Sequence, residues 1–227
     1  MRGAPRAVTG ADGLEGLVRR ALPEAAAGLP DAAVAQLAAY LRLLARWNQA
    51  YNLTSVRDPA DMATRHVGDS LTALPFLAGD RLLDVGAGAG LPGIPLAVAS
   101  PATRVTLLDS QIKKARFLRQ AVAELKLGNA EVVHSRVEDY RPVQPFTTII
   151  CRAYASLADF VTAAAHALAP GGRLVAMKGR LPADELAALP AGWQVLGATP
   201  VGAPGLVGGR HVIVLARAAA APAGDAP

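Results

Sequence analysis

The residues best suited to chemistry lie in the stretch LLDVGAGAGLPGIP, residues 82–95. Glycines stand at 86, 88, 90 and 93, directly after a short apolar run, and a carboxylate, Asp84, sits inside that run. Glycine reaches positive φ and carries no side chain, so Gly86 and Gly88 let a ligand touch bare backbone. A second carboxylate, Asp109, ends the next apolar run. An acid about 20 residues beyond such a loop can accept hydrogen bonds from ribose hydroxyls. In an open α/β sheet, the turn beyond a strand's carboxyl end is the expected ligand crevice. The chemistry indicated is capture of a nucleoside-bearing ligand.

Two ligands compete for that crevice. Gly88–Gly93 matches GxGxxG, the dinucleotide fingerprint, and Asp109 would serve an NAD ribose as well as any other. Asp84 argues the other way, because a carboxylate at that place suits a cationic group better than a pyrophosphate. S-adenosyl-L-methionine carries an amino group and a sulfonium, and no phosphate. Pro92 also removes a backbone donor where a phosphate needs one. Asp84 reads equally as an acceptor that orients the loop, and Asp109 as a cap for the helix containing Lys113.

Strands and helices must position these groups. Apolar runs at Arg81–Val85, Arg104–Asp109, Glu131–His134, Thr147–Cys151 and Arg173–Lys178 read as strands. Helical stretches between them include Lys113–Leu127 and Leu157–Leu168. This alternation predicts an α/β fold with a parallel sheet covered on both faces. Two late runs, Trp193–Gly197 and His211–Arg217, are expected to add an antiparallel pair at the sheet edge.

Residues 13–56 read as helical, with Asp31 as an N-cap and Val34, Leu37, Leu41 and Leu44 as one apolar stripe closed by Trp47. Asp58-Pro59 starts another helix, which carries Met62, His66 and Asp69. The organisation is therefore a helical extension, 13–79, before an α/β domain, 80–217. The Ala-, Gly- and Pro-rich ends, 1–12 and 218–227, are expected to be loose.

Composition excludes several classes. Of 227 residues, 52% are apolar and 18% charged, which rules out global disorder. The single cysteine, Cys151, excludes an intrachain disulfide framework and a multi-cysteine zinc cage. Four scattered histidines offer no metal spacing, so no metal is expected. No membrane span or signal peptide is read, and a cytoplasmic monomer is the expectation. A net charge of +5 permits an anionic partner without demanding one.

At RWNQAYNLTSVRDPADMATRHVGDSL (46–71), LLDVGAGAGLPGIPLA (82–97), LLDSQIKKARFLRQAVAELKL (107–127), SRVEDY (135–140), CRAYASL (151–157) and MKGRLP (177–182), the chain closely resembles the bacterial RsmG family, also called GidB. The resemblance implies a class I S-adenosyl-L-methionine-dependent methyltransferase fold, Rossmann-like, with seven mostly parallel strands and an N-terminal helical extension. It implies methylation of guanine N7 in 16S ribosomal RNA, at guanine 527 of the 530 loop, with that RNA or the small ribosomal subunit as partner. On matching positions it implies cofactor contacts from Gly86 and Leu91, Asp109 at the ribose, Val137 and Glu138 beside the adenine, and Arg152 near methyl transfer. Asp84 and Gly88 join that set from the reading of the loop itself. Departures are small: Ala87, Ala89, Cys151 and Tyr154 stand at variable positions. Beyond about residue 183 the match is loose, and no site residue is carried from there.

Guanine N7 has an exposed lone pair and no proton to lose, so no general base is required. Arg152 is read as donating to O6 or to a phosphate, leaving N7 open. CRAY lacks the acceptors that amino-methylating enzymes place after this strand. Cys151 is read as a buried small group, not a nucleophile. Arg136 and Lys178, on the active-site edge, are read either as RNA contacts or as members of salt bridges. Lys113, Lys114, Arg116, Arg119 and Lys126 are mostly solvated in this reading. His66 and Asp69 are expected to form a hydrogen-bonded pair in the pocket wall, and Trp47 and Tyr51 to serve packing.

Overall fold

A computed structural model of the chain describes residues 13–218. Of the two ends expected to be loose, all but Ala218 lie outside the described residues. Seven strands form one sheet in the order β3-β2-β1-β4-β5-β7-β6. They are β1 (Arg81–Val85), β2 (Arg104–Asp109), β3 (Ala130–His134), β4 (Phe146–Arg152), β5 (Leu168–Lys178), β6 (Trp193–Pro200) and β7 (His211–Arg217). The first five pair in parallel, and β7 runs antiparallel to both β5 and β6. The chain steps outward from β1 to β3 and returns at β4 on β1's other side. That reversal leaves a crevice at the carboxyl ends of β1 and β4.

Side chains alternate between two faces along each strand. Leu82, Val105, Leu107, Ile150, Val175, Val212 and Val214 join one core, against the helical extension. Leu83, Val85, Leu108, Ile149, Leu174, Ile213 and Leu215 join the other, against α7 (Leu157–Ala164). Asp84 shares the face of Leu82, so its carboxyl group points toward the extension.

The extension comprises α1 (Leu14–Ala21), α2 (Asp31–Tyr51), α3 (Pro59–Met62), a π-helical segment, Ala63–Gly68, and α4 (Asp69–Leu71). Leu37, Leu41, Leu44, Val67 and Leu71 are fully or almost fully buried in the same cluster as the sheet residues. Residue 79 therefore marks a change of chain pattern, while one core runs across it. Truncating one of these leucines to alanine costs about 2–5 kcal/mol. Asp58 caps α3 as read, accepting from the N–H groups of Ala60 and Asp61 at 2.9 and 3.0 Å.

Some expectations are corrected. Pro30, not Asp31, is the N-cap of α2; Asp31 lies in the first turn and pairs with Arg19. The helix passes Trp47 and ends at Tyr51, stopped by Asn52 in the left-handed conformation at φ 48°. Trp47 stacks on Tyr51 at 5.1 Å and meets Phe117 edge-on at 5.6 Å, which is the packing role expected of both. The helix before β3 is α6 (Ile112–Glu124), and α7 yields to a 3-10 turn at Ala165–Ala167. The two short helices that remain are α5 (Gly93–Ala99) and α8 (Ala183–Ala187).

Candidate active site

The glycine loop is held from below and from one side. The N–H groups of Gly86 and Ala87 both donate to the Leu108 carbonyl, at 2.9 and 3.0 Å, tying the loop to β2. Asp84 Oδ2 accepts from the Gly93 N–H at 2.7 Å, fixing the start of α5. A side chain at Gly93 would lie 2.6 Å from that same oxygen, so only glycine allows the contact. Gly86, at φ +71°, has nothing within 4 Å of where a Cβ would be and presents open backbone. Asp109 Oδ2 accepts from the Gly88 N–H at 2.9 Å, and Oδ1 from the Gln111 N–H at 2.8 Å. Asp109 is thus a brace of the loop rather than the cap of α6, and it keeps further acceptor capacity.

Gly86, Asp109, Val137 and Glu138 line one cavity of about 150 Å³, with Arg136, Ser110 and Tyr154. These are four of the expected cofactor residues, brought together from three strand ends. Asp84, Gly88, Leu91 and Arg152 stand outside that lining. The donors a dinucleotide pyrophosphate would need are occupied: Gly88 by Asp109, Gly90 by the Ala87 carbonyl at 2.7 Å, and Gly93 by Asp84. The loop fits a nucleoside without a phosphate.

A larger cavity, about 560 Å³, opens at the other end of the strands, between Arg81, Arg104, Tyr140 and Arg141. Its arginines Arg81 and Arg141 are spent on backbone carbonyls of Pro145, Gln144, Glu138 and Tyr140. It lies away from the crevice and gathers none of the expected residues.

Asp84 is fully buried, and its Oδ1 has no hydrogen-bond partner. Burial pushes its carboxyl group up to about 7, against the Gly93 hydrogen bond, with Asp109 raising it further and Arg152 lowering it. Arg152, the last residue of β4, donates through Nη2 to the Arg65 carbonyl at 3.1 Å and lies 3.4 Å from Asp69 Oδ2. Its Nη1 is buried and unpartnered. On β4's other face the Cys151 thiol is buried, and burial pushes it well above its ordinary value.

A family model described as GidB, rRNA small subunit methyltransferase G, matches residues 33–213. The chain belongs to this family. It is 52% identical over 203 residues to ribosomal RNA small subunit methyltransferase G of Marinobacter nauticus, covering 89% of this chain and 95% of the relative. The protein of that name from Alkalilimnicola ehrlichii is 53% identical, covering 82% and 84%. Among solved structures, the glycopeptide N-methyltransferase MtfA complexed with S-adenosyl-L-methionine aligns with TM-score 0.55 and 13% identity, over 68% of this chain and 88% of that one. This likeness supports the fold read from the sequence, a class I methyltransferase sheet.

In this GidB chain, the wall opposite the glycine loop differs from what its sequence suggested. His66 and Asp69 do not bond to each other, because the π-helical turns between them change their angular spacing. His66 Nε2 shares a hydrogen bond with Thr54 Oγ1 at 2.9 Å, and burial, helped by Arg152, holds its imidazole down at about 4. Asp69 instead faces Arg152 and Arg210. Lys178 is turned inward: its Nζ donates to Glu185 at 2.8 and 3.1 Å, so the salt-bridge reading describes it and no cation is offered outward. Arg136 is exposed at the cavity rim, 3.6 Å from Glu138.

Two residues of this wall escaped the sequence reading. Tyr40 donates its hydroxyl to the Ala89 carbonyl at 2.6 Å, bracing the glycine loop from α2. Its signal was a polar-tipped aromatic on a buried leucine stripe. Arg210 comes from the loosely matching C-terminal part, and only its place before an apolar strand marks it.

Proposed function

We propose that this chain transfers a methyl group from S-adenosyl-L-methionine to N7 of a guanine in small-subunit ribosomal RNA. Bound S-adenosyl-L-methionine supplies an electrophilic sulfonium methyl. The chain's own residues bind and orient. Gly86 offers bare backbone, Asp109 accepts from the ribose, and Val137 and Glu138 flank the adenine. Asp84, with a free buried oxygen on the extension side, complements a cationic group. Family membership favours RNA as the acceptor.

The observation that carries the reading is the buried, unpartnered Arg152 Nη1 beside that cradle. A donor there can take guanine O6 and leave the N7 lone pair open. The surroundings suit an acceptor that needs no deprotonation. His66 is neutral at physiological pH and tied to Thr54, and Cys151 is a buried thiol. Rate enhancement then rests on orientation and fixed dipoles.

Incubating small subunits from a strain lacking the enzyme with methyl-labelled cofactor tests this. One labelled guanine is expected, identified as 7-methylguanosine by nucleoside mass analysis. Label on an exocyclic amine, or on no RNA at all, defeats the reading. Arg152→Gln should lower the rate by about 100-fold or more.

A further inference from the structure

Asp69 is almost completely buried and holds two guanidinium groups at once. Arg210 Nε donates to Oδ1 at 3.1 Å, and Arg152 Nη2 lies 3.4 Å from Oδ2. The three side chains come from α4, the end of β4 and the residue before β7. A buried carboxylate without a partner is costly, so Asp69 needs at least one arginine. Arg210 is itself fixed: its carbonyl accepts from the Val201 N–H at 2.9 Å, closing the β6–β7 connection at its base, and its Nη1 donates to the Gly209 carbonyl at 2.9 Å. Arg210 is therefore rigid, while Arg152 keeps Nη1 uncommitted.

We propose that Asp69 and Arg210 are positioning residues that set the guanidinium plane of Arg152 for the target base. This deepens the methyl-transfer reading and rests on it. Arg210 anchors one oxygen of Asp69 so that the other meets Nη2, and the Arg65 carbonyl meets Nη2 as well. With Nη2 held twice, rotation of the fork is stopped and Nη1 points where the base must sit. One carboxylate between two arginines leaves the trio net positive, which suits an electronegative edge such as guanine O6. The cost of loosening such a group falls on the turnover step rather than on encounter with RNA.

The test is a double-mutant cycle on kcat at saturating RNA and cofactor. In the otherwise native enzyme, Asp69→Asn and Arg210→Gln are each expected to lower kcat about tenfold or more. In an Arg152→Lys background, which keeps a cation but not the planar fork, each should cost less than about twofold, since nothing is left to position. Arg210→Lys should recover only part of the Arg210→Gln loss. Losses that multiply fully in the Arg152→Lys background overturn the proposal. So does an Arg210→Gln variant with raised KM for RNA and native kcat, which would make Arg210 a docking contact. If Asp69→Asn does not fold, the more exposed Arg210 arm decides the matter alone. An unsubstituted enzyme that puts no methyl on guanine N7 removes the methyl-transfer reading itself, an outcome distinct from any of these.

Discussion

The two walls of the crevice are built differently. The glycine-loop wall is made of backbone: Gly86, Ala87, Gly88 and Gly93 each give an N–H to a neighbouring carbonyl or carboxylate. The Arg152 wall is made of side chains, with Tyr40, His66, Asp69, Arg152 and Arg210 arriving from five separate places in the chain. A backbone cradle tolerates change in most of its side chains but little change in conformation. A side-chain wall keeps its backbone under substitution and loses its aim. Binding of a nucleoside is expected to depend on the first, and selection of a base on the second.

The sharpest way to break this contrast is Asp109→Ala. It removes the acceptor of both the Gly88 and Gln111 N–H groups and the proposed ribose partner together. Affinity for S-adenosylhomocysteine should fall by about 100-fold, since two to three kcal/mol of hydrogen bonding is lost. Calorimetry that finds native affinity would show that the cradle does not hold the ribose through this acid.

Tyr40→Phe tests the one bond that joins the walls. The Ala89 carbonyl would be left buried without its donor. A stability loss of about 1–3 kcal/mol is expected in urea titration, with weaker cofactor binding as the accompanying sign that the loop has shifted.

Asp84 and His66 make the walls respond differently to pH. The Asp84 carboxyl group sits at about 7 in the folded protein, above its unfolded value of 3.8. Its contribution is fully present below that unfolded value and is lost as pH rises through 7. His66, held at about 4 against 6.5, contributes above 6.5 and loses it as pH falls toward 4. Asp84→Asn should therefore flatten the decline in stability between pH 6 and 8.5 and leave the acid limb alone. An unchanged alkaline slope in that variant would remove Asp84 as its source.

The smallest effect is expected of Cys151→Ala. The thiol is buried in the core on β4's far face, so methylation should stay within about twofold of native, with at most a modest loss of stability. Loss of activity would restore Cys151 as a nucleophile.

The same contrast explains what was legible in the sequence. The cradle is a local motif, and its strands are apolar runs with clear edges; Arg81–Val85, Arg104–Asp109 and His211–Arg217 stand where they were read. The wall is a product of tertiary contact. Nothing near Asp69 in the chain announces Arg210, which bonds to it across 141 residues. The π-helical segment has no compositional signature, so His66 and Asp69 were given the spacing of an ordinary helix. Lys178 looked like a free cation because its partner, Glu185, lies in the poorly matching region.

That π-helical segment, Ala63–Gly68, has a consequence for insertions and deletions. A π-helical turn holds about one residue more than an ordinary turn. Deleting Thr64 would let the helix relax to regular winding and swing everything after it by about 100° relative to what precedes it. His66 and Asp69 would then no longer face Thr54 and the two arginines together. The extra residue acts as a phase setting for the extension, so a length change here should be far less forgiving than one in the β6–β7 connection.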